Sequence, residues 1–138
     1  MKKADKNNFI KLPDSELKVM QVIWDMTKTA EKVDAGSMME AYPDVIGHLK
    51  LTTVLTLITR LGEKGFVKTE KRGRVNCYIP AISEEHYKKS AAAEFVENVY
   101  KNRPINLMSA LFDIGAINKE DIDEFRKRIS ENNNKNDG

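Results

Sequence analysis

Apolar and polar side chains separate most sharply between Leu51 and Glu63, where they fall on opposite sides of a predicted helix. At about 100° per residue, one side carries Leu51, Val54, Leu57, Ile58 and Leu61. The other side carries Thr52, Thr53, Thr56, Thr59, Arg60 and Glu63. Threonine is a poor helix former, since its β-branched side chain loses χ1 freedom in a helix. Short hydroxyl side chains beside an arginine can approach phosphates and base edges closely, so the pattern predicts a helix in the DNA major groove.

A period of two replaces the helical period after this segment. Lys64-Gly65 is typical of a helix C-cap, and residues 66–70 and 74–79 then read as two strands. In the second strand, Val75, Cys77 and Ile79 alternate with Asn76 and Tyr78. The turn between the strands is predicted at Lys71-Arg72-Gly73. We expect the basic side chains of this hairpin to contact phosphates, namely Lys71, Arg72 and Arg74.

Two further helices are predicted before the threonine-rich one. Pro13-Asp14 marks the start of a helix that extends to Met26, with Trp24 as a core anchor. A weaker pattern predicts a second helix over Val33–Ala41, which Pro43 keeps from continuing. Three helices followed by a hairpin form a winged helix-turn-helix. The predicted fold class is therefore mainly α with a small β-hairpin wing, over residues 9–81.

Residues 82–130 are predicted to form a separate helical domain. Ser83 to about Lys101, Pro104 to Gly115, and Asn118 to Ile129 read as three amphipathic helices. So short a set buries its apolar faces poorly alone, which favours a homodimer. The candidate dimerisation residues are Tyr87, Phe95, Val99, Met108, Leu111, Phe112, Ile122 and Phe125. Residues 1–8, a polar and basic arm, and the Asn-rich residues 131–138 are predicted to be flexible tails.

Composition narrows the possible chemistry. The net charge is only +2, but residues 64–74 hold five basic side chains against Glu70 alone, so charge distribution carries the nucleic-acid signal. One cysteine, Cys77, and two isolated histidines, His48 and His86, give neither a disulfide framework nor a metal-binding pattern. Catalytic motifs are absent from the sequence, so we expect no enzyme, cofactor or metal. Without a signal-peptide core or a membrane-length apolar run, the predicted location is cytoplasmic, with no membrane insertion.

Several of these segments together resemble one protein family. They are Glu16–Trp24 (ELKVMQVIW), Thr53–Leu61 (TVLTLITRL), Glu63-Lys-Gly65, and the wing Glu70–Pro80 with its Gly73-Arg74 and Tyr78-Ile79-Pro80. Over about Leu12 to Ile129, the chain resembles the penicillinase and methicillin-resistance repressors of Gram-positive bacteria, a family that also includes copper-responsive repressors. The resemblance implies a dimeric repressor that binds a palindromic operator in double-stranded DNA. It places the groove-facing positions at Thr52, Thr53 and Thr56, with Arg60 nearby.

The resemblance also implies how such a repressor is released from DNA. In the antibiotic-responsive members, a membrane sensor-protease detects a β-lactam, and the repressor is cut in its dimerisation domain. The scissile bond, commonly Asn-Phe, falls near Ala110–Leu111, where this chain has Ala-Leu instead. The C-terminal region also lacks the paired cysteines of the copper-responsive branch. Two other hypotheses therefore stay open: a winged-helix regulator released by a small-molecule ligand, and a winged helix that binds only proteins.

Overall fold

The structure is a computed structural model that describes the backbone of residues 9–137 and the side chains of residues 9–134. The chain forms two compact units, Met1–Ala92 and Ala93–Gly138. The predicted domains, 9–81 and 82–130, divide the chain by expected function, and this division stays a prediction. The predicted basic arm, residues 1–8, lies outside the described residues.

Helix α1, Asp14–Met26, has the predicted bounds and forms one side of the core of the first unit. Val19, Met20 and Ile23 are fully buried on its inner side. Trp24 is also buried, and its indole Nε1–H donates a hydrogen bond to the Ile82 carbonyl oxygen at 2.8 Å. The tryptophan therefore anchors α1 to the segment that follows the sheet, as its polar handle allows.

The second predicted helix begins two residues late, because Val33–Asp34 forms a short strand, β1. Helix α2 covers Ala35–Ala41, and Asp34 is its N-cap. The Asp34 carboxylate accepts hydrogen bonds from the Ser37 backbone N–H at 2.8 Å and from its hydroxyl at 2.9 Å. An aspartate in this role holds its own backbone extended, which leaves Val33 free to pair with Tyr78. The wing sheet consequently has three strands rather than the two of a hairpin.

A single π-helical turn, Pro43–Gly47, connects α2 to the next helix. Its three backbone N–H groups at Val45, Ile46 and Gly47 all point to the Tyr42 carbonyl, at 2.9 to 3.3 Å. A Cβ at Gly47 would lie 2.3 Å from the Met39 carbonyl oxygen, so only glycine fits this close approach.

Helix α3, Leu51–Glu63, packs its apolar side into the core of the first unit. Val54, Leu57, Ile58 and Leu61 are buried as predicted, but Leu51 is 51% exposed, because it lies in the first turn of the helix. At the other end, Gly65 has a φ of +84°. The Phe66 N–H bonds to the Leu61 carbonyl and the Gly65 N–H to the Gly62 carbonyl. This Schellman pattern ends α3 and turns the chain directly into the sheet.

The wing consists of β2, Val67–Arg72, and β3, Val75–Pro80, which pair antiparallel. Arg72 pairs with Val75, so the loop is Gly73-Arg74, which begins two residues later and ends one residue later than the predicted turn. Gly73 supplies the positive φ, +68°. The strand order is β1-β3-β2.

The predicted burial pattern of β3 is wrong at two positions. Val75 is 49% exposed, because it lies at the free end of the hairpin. Cys77 and Tyr78 are both buried, although neighbouring strand residues point to opposite faces. β3 is the central strand, with β1 beside it at these two residues and β2 along its other edge, and Tyr78 packs in the core cluster of the first unit.

Three helices follow the sheet: α4, Glu84–Tyr100, α5, Pro104–Asp113, and α6, Lys119–Asp137. Ser83 caps α4 by accepting a hydrogen bond from the His86 N–H at 3.1 Å. Asn118 and Asp121 form a reciprocal capping box at the start of α6, with both bonds at 2.9 Å. Among the described helices, none is both long and apolar enough to cross a membrane.

The last helix is longer than predicted. It continues through residues 131–137, which belong to the segment predicted to be a flexible tail. The expectation rested on the lack of apolar residues there. That lack rules out packing against a core, whereas backbone hydrogen bonds can extend an exposed helix without any packing.

Tyr87 is a correction to the predicted dimer face, since it belongs to the core of the first unit. Its side chain is 7% exposed, and its ring centroid lies 5.3 to 5.7 Å from those of Phe9, Trp24 and Phe66. The Leu12 backbone N–H donates a hydrogen bond to its hydroxyl oxygen at 3.0 Å. The helical period identified the residue as apolar and inward-facing but could not say which unit it faces.

The Asp34 cap generates a stability prediction. Replacing Asp34 by alanine should lower the free energy of unfolding by about 1 kcal/mol at neutral pH, measured by urea denaturation. The Ser37 backbone N–H, followed by its hydroxyl, lowers the pKa of Asp34 below its usual 3.8. The carboxylate's contribution is therefore present above pH 3.8 and is lost as the pH falls through the lowered pKa.

The matched control is Asp34→Asn, which keeps an acceptor for the cap but cannot titrate. It should retain most of the stability and lack this acid dependence. Equal destabilisation by asparagine and alanine would contradict the capping role.

Candidate nucleic-acid interface

The outward side of α3 carries the predicted groove-facing residues on one exposed surface. The side chains of Thr52, Thr53, Thr56 and Arg60 are all exposed. The opposite side of the same helix is buried, so the helix cannot rotate to hide them. We call this exposed surface, with Leu55 and Thr59, the α3 face.

The threonine hydroxyls of the α3 face differ in whether they form a hydrogen bond within the helix. The Thr56 hydroxyl donates to the Thr52 carbonyl oxygen at 2.8 Å, and the Thr59 hydroxyl donates to the Leu55 carbonyl oxygen at 2.9 Å. The hydroxyls of Thr52 and Thr53 have no hydrogen-bond partner among the described residues. A hydroxyl has one hydrogen and two lone pairs. Thr52 and Thr53 can therefore donate to a ligand, whereas Thr56 and Thr59 offer it only a lone pair and a methyl group.

An ion pair with a buried carboxylate fixes the C-terminal end of α3. The Lys64 ammonium binds the Glu16 carboxylate, whose side chain is only 4% exposed. This pair joins the first turn of α1 to the C-cap of α3. Loss of Lys64 would leave the buried Glu16 carboxylate uncompensated, which is strongly destabilising. This pair was not predicted from the sequence, because nothing local to Glu16 indicates a partner 48 residues away.

The wing presents positive charge that the protein itself does not neutralise. Lys71, Arg72 and Arg74 are exposed and form no ion pair with the described residues. Glu70 is the acid among them, and its carboxylate is paired with the Lys32 ammonium at 3.2 Å. The excess of positive charge that the sequence indicated is therefore retained at the surface.

The strand register separates the wing cations onto two faces. Lys71 is opposite Asn76, and Arg72 is opposite Val75. Because neighbouring residues of a strand point to opposite faces, Lys71 shares a face with Asn76 and Thr69 but not with Arg72. This is the face of Tyr78 and Val67, which belong to the core. Lys71 therefore lies on the side of the wing that faces the helices.

A groove of about 550 Å³ separates α3 from this face of the wing. Leu55, Thr59 and Glu63 line it from the helix, and Thr69 and Asn76 line it from the sheet. Hydroxyl and amide donors beside a lysine suit a phosphate backbone, while Glu63 repels phosphate from its own end. Sequence reasoning missed Thr69 and Asn76, although the strand period would have placed both beside Lys71.

Outside this surface, the described residues offer little other chemistry. They contain no group of three His, Cys, Asp or Glu side chains that could hold a metal ion. Cys77 is buried within the sheet. Burial raises the pKa of its neighbour Tyr78, which keeps the phenol neutral. The His48 ring lies at the surface, with Nδ1 3.4 Å from the Pro43 carbonyl oxygen.

In the second unit, the predicted dimerisation residues other than Tyr87 are exposed or half-buried. Leu111 and Ile122 are half-buried, and the exposed residues are Phe95, Val99, Met108, Phe112 and Phe125. The Ala110–Leu111 bond lies within α5. Its carbonyls are engaged: that of Ala110 accepts from the Ile114 N–H, and that of Leu111 accepts from the N–H groups of Ala116 and Ile117.

Comparison with known proteins gives consistent matches. The family model described as penicillinase repressor matches residues 12–131. The methicillin resistance regulatory protein MecI of Staphylococcus aureus strain N315 is 26% identical over 124 residues, which cover 90% of this chain and 97% of that protein. The penicillinase repressor of Bacillus licheniformis is 26% identical over 126 residues, 90% of this chain and 93% of that protein.

Among solved structures, the solution structure of the Bacillus licheniformis BlaI monomeric form in complex with the blaP half-operator aligns with a TM-score of 0.44 and 29% identity. The alignment covers 57% of this chain and 90% of that chain. The family model alone spans most of the chain and includes both the winged helix and the helices after it. The chain therefore belongs to the penicillinase repressor family of winged-helix transcriptional repressors.

Proposed function

We propose that the protein is a homodimeric transcriptional repressor that binds a palindromic operator in double-stranded DNA and acts in the cytoplasm. The observation that carries this proposal is the exposed α3 face beside the unneutralised wing cations of the same unit. Relatives at 26% identity are named as a methicillin resistance regulatory protein and a penicillinase repressor, which supports control of a β-lactam-resistance or related operon.

In the proposed complex, α3 lies in the major groove. Thr52, Thr53 and Thr56 face the base edges, and Arg60 reaches a phosphate near the C-terminal end of the helix. The wing follows the backbone next to that groove, with Lys71, Arg72 and Arg74 contacting phosphates. Unpaired cations around a hydroxyl-rich helix face suit a ligand that carries phosphates, and this favours DNA over a partner that is only protein.

The proposed dimer forms through the second unit. Within its described side chains, residues 93–134, not one is buried by the single chain. Phe95, Val99 and Phe112 are each about half exposed. A helical unit of this size that buries none of its aromatic side chains needs a partner surface. A second copy supplies it and also provides the twofold symmetry that a palindrome requires.

For release from the operator, we propose cleavage near Ala110–Leu111 by a membrane sensor-protease. A protease needs an extended substrate, so the carbonyl hydrogen bonds of this part of α5 must first open. Because none of the described side chains of the unit is fully buried within one chain, such local opening costs less in a dissociated protomer than in a dimer. Release by a small-molecule ligand is the alternative, motivated by Ala-Leu in place of Asn-Phe.

The wing cations predict a specific salt dependence. If Lys71, Arg72 and Arg74 each neutralise one phosphate, replacing any one by alanine should reduce the slope of log K against log salt by about one. The measurement is fluorescence anisotropy on operator DNA over a salt series. Lys18→Ala, which removes an exposed charge of α1, is the matched control and should leave the slope unchanged. Slopes that do not change in any wing variant would contradict phosphate contact by the wing.

The second unit predicts a variant that separates dimerisation from DNA binding. Phe112→Asp places a charge at a 54% exposed apolar position, so the protomer should fold normally. The dimer dissociation constant should rise at least about tenfold, because each copy loses a large buried side chain. Sedimentation equilibrium measures this, and Lys18→Asp is the control.

On DNA, the same variant should lose affinity for a full palindrome while its affinity for a half-site stays the same. A Phe112→Asp protein that remains fully dimeric would contradict the assignment of this surface.

The mode of release is tested by incubating the purified repressor with an extract of β-lactam-induced cells that carry a sensor-protease. Cleavage predicts two fragments whose masses place the cut near Leu111, together with loss of operator binding. An intact chain that still loses operator binding would contradict proteolysis and favour the ligand.

A further inference from the structure

The centre of the α3 face offers almost no hydrogen-bond donor to a ligand. The hydroxyls of Thr56 and Thr59 both donate to carbonyl oxygens of their own helix, with oxygen–oxygen distances of 2.8 and 2.9 Å. Leu55 directly precedes Thr56 in the sequence and is 37% exposed, although the helix has ample apolar surface on its buried side. Three outward positions of one helix therefore present methyl groups. A surface that recognises hydrogen-bond acceptors on base edges would present donors at these positions.

The first turn of the same helix differs. The hydroxyls of Thr52 and Thr53 have no partner among the described residues and keep their hydrogens available. The α3 face is thus divided along the helix into a donor-bearing start and a methyl-bearing centre. The division follows from helix geometry, because Thr56 and Thr59 each have a carbonyl of α3 four residues before them, whereas Thr52 and Thr53 lie in the first turn and have none.

The major groove offers one apolar group for such a surface, the C5 methyl of thymine. We propose that Leu55 and the Thr56 methyl group recognise thymine methyls in the operator, and that Leu55 is a specificity-determining residue of this repressor. The proposal rests on the proposed function, since it assigns the kind of base contact that the operator-binding helix makes.

The position of Leu55 supports a role at the DNA rather than in the core. A singly exposed leucine needs no explanation by itself. Here the side chain lines the groove between α3 and the wing, together with Thr59, Thr69 and Asn76. A DNA backbone in that groove would bring the edges of the adjacent bases against Leu55. Water would leave both apolar surfaces at once, and each contacted thymine would be favoured over cytosine.

The experiment replaces thymines by deoxyuridine, which keeps the O4 acceptor and the base pairing and removes only the methyl group. A binding site is first recovered by selection from random DNA, and each thymine of a half-site is then replaced in turn. The wild-type protein should bind about fourfold more weakly for each methyl that it contacts, with at least one such position in each half-site.

Two variants identify the protein side of the contact. Leu55→Ala removes an exposed apolar group, and Thr56→Ser removes the methyl while keeping a hydroxyl for the same carbonyl. Each variant should bind the all-thymine site about fourfold more weakly and should no longer respond to uracil at one particular position. Thr53→Val is the control, because it changes a donor-bearing threonine and should leave every uracil response intact. Equal thermal melting temperatures will show that the variants fold.

The outcomes test operator binding and the methyl contact separately. If the selection recovers no preferred site, the proposed operator binding is wrong. If a site is recovered and uracil changes nothing at any position, operator binding stands and the methyl contact is wrong. If uracil responses persist unchanged in both Leu55→Ala and Thr56→Ser, other residues contact the methyls and the assignment to Leu55 and Thr56 is wrong.

Discussion

The burial of one side of α3 is the interaction on which the rest of the molecule depends. Val54, Leu57, Ile58 and Leu61 hold this side in the core of the first unit. The helix can therefore expose hydroxyl-rich residues of low helix propensity on its other side, because packing rather than propensity stabilises it. The ion pair between Glu16 and Lys64 and the glycine turn at Gly65 then fix the end of the helix relative to α1 and the sheet.

Local patterns predicted those features that depend on local physics. The helical period gave α1 its observed bounds, and it separated the two sides of α3 correctly except at Leu51. The predicted helix starts at Ser83 and Asn118 coincide with observed N-caps, because a cap is formed by residues within one turn.

Features that depend on distant residues could not be predicted in the same way. Two residues of β1 show no period, and they become a strand only because β3 lies beside them. The helical period identifies Tyr87 as an apolar helix residue but does not show which unit it packs in. The hydroxyl states of Thr56 and Thr59 require coordinates, because a sequence shows the donor but not where its hydrogen points. The predicted site residues themselves stay a prediction until DNA binding is measured.

The two units divide the proposed task. The first unit buries its own core and exposes a polar and cationic surface, whereas none of the described side chains of the second is fully buried and several of its apolar ones are exposed. We propose that the first surface binds DNA and that the second binds a copy of the chain. In this account, operator affinity depends on both units. Cleavage or local unfolding of the second unit would stop one dimer from binding two half-sites at once, without changing any residue proposed to contact DNA.

The central claim is that the α3 face reads bases. The most direct measurement compares wild type and Thr53→Val on a selected operator and on random DNA at the same salt concentration. The account predicts that the variant loses about tenfold in affinity for the operator and almost none for random DNA, because one donor to a base edge is removed and no phosphate contact changes. Equal losses on both DNAs, or no loss on the operator, would contradict base reading by this face.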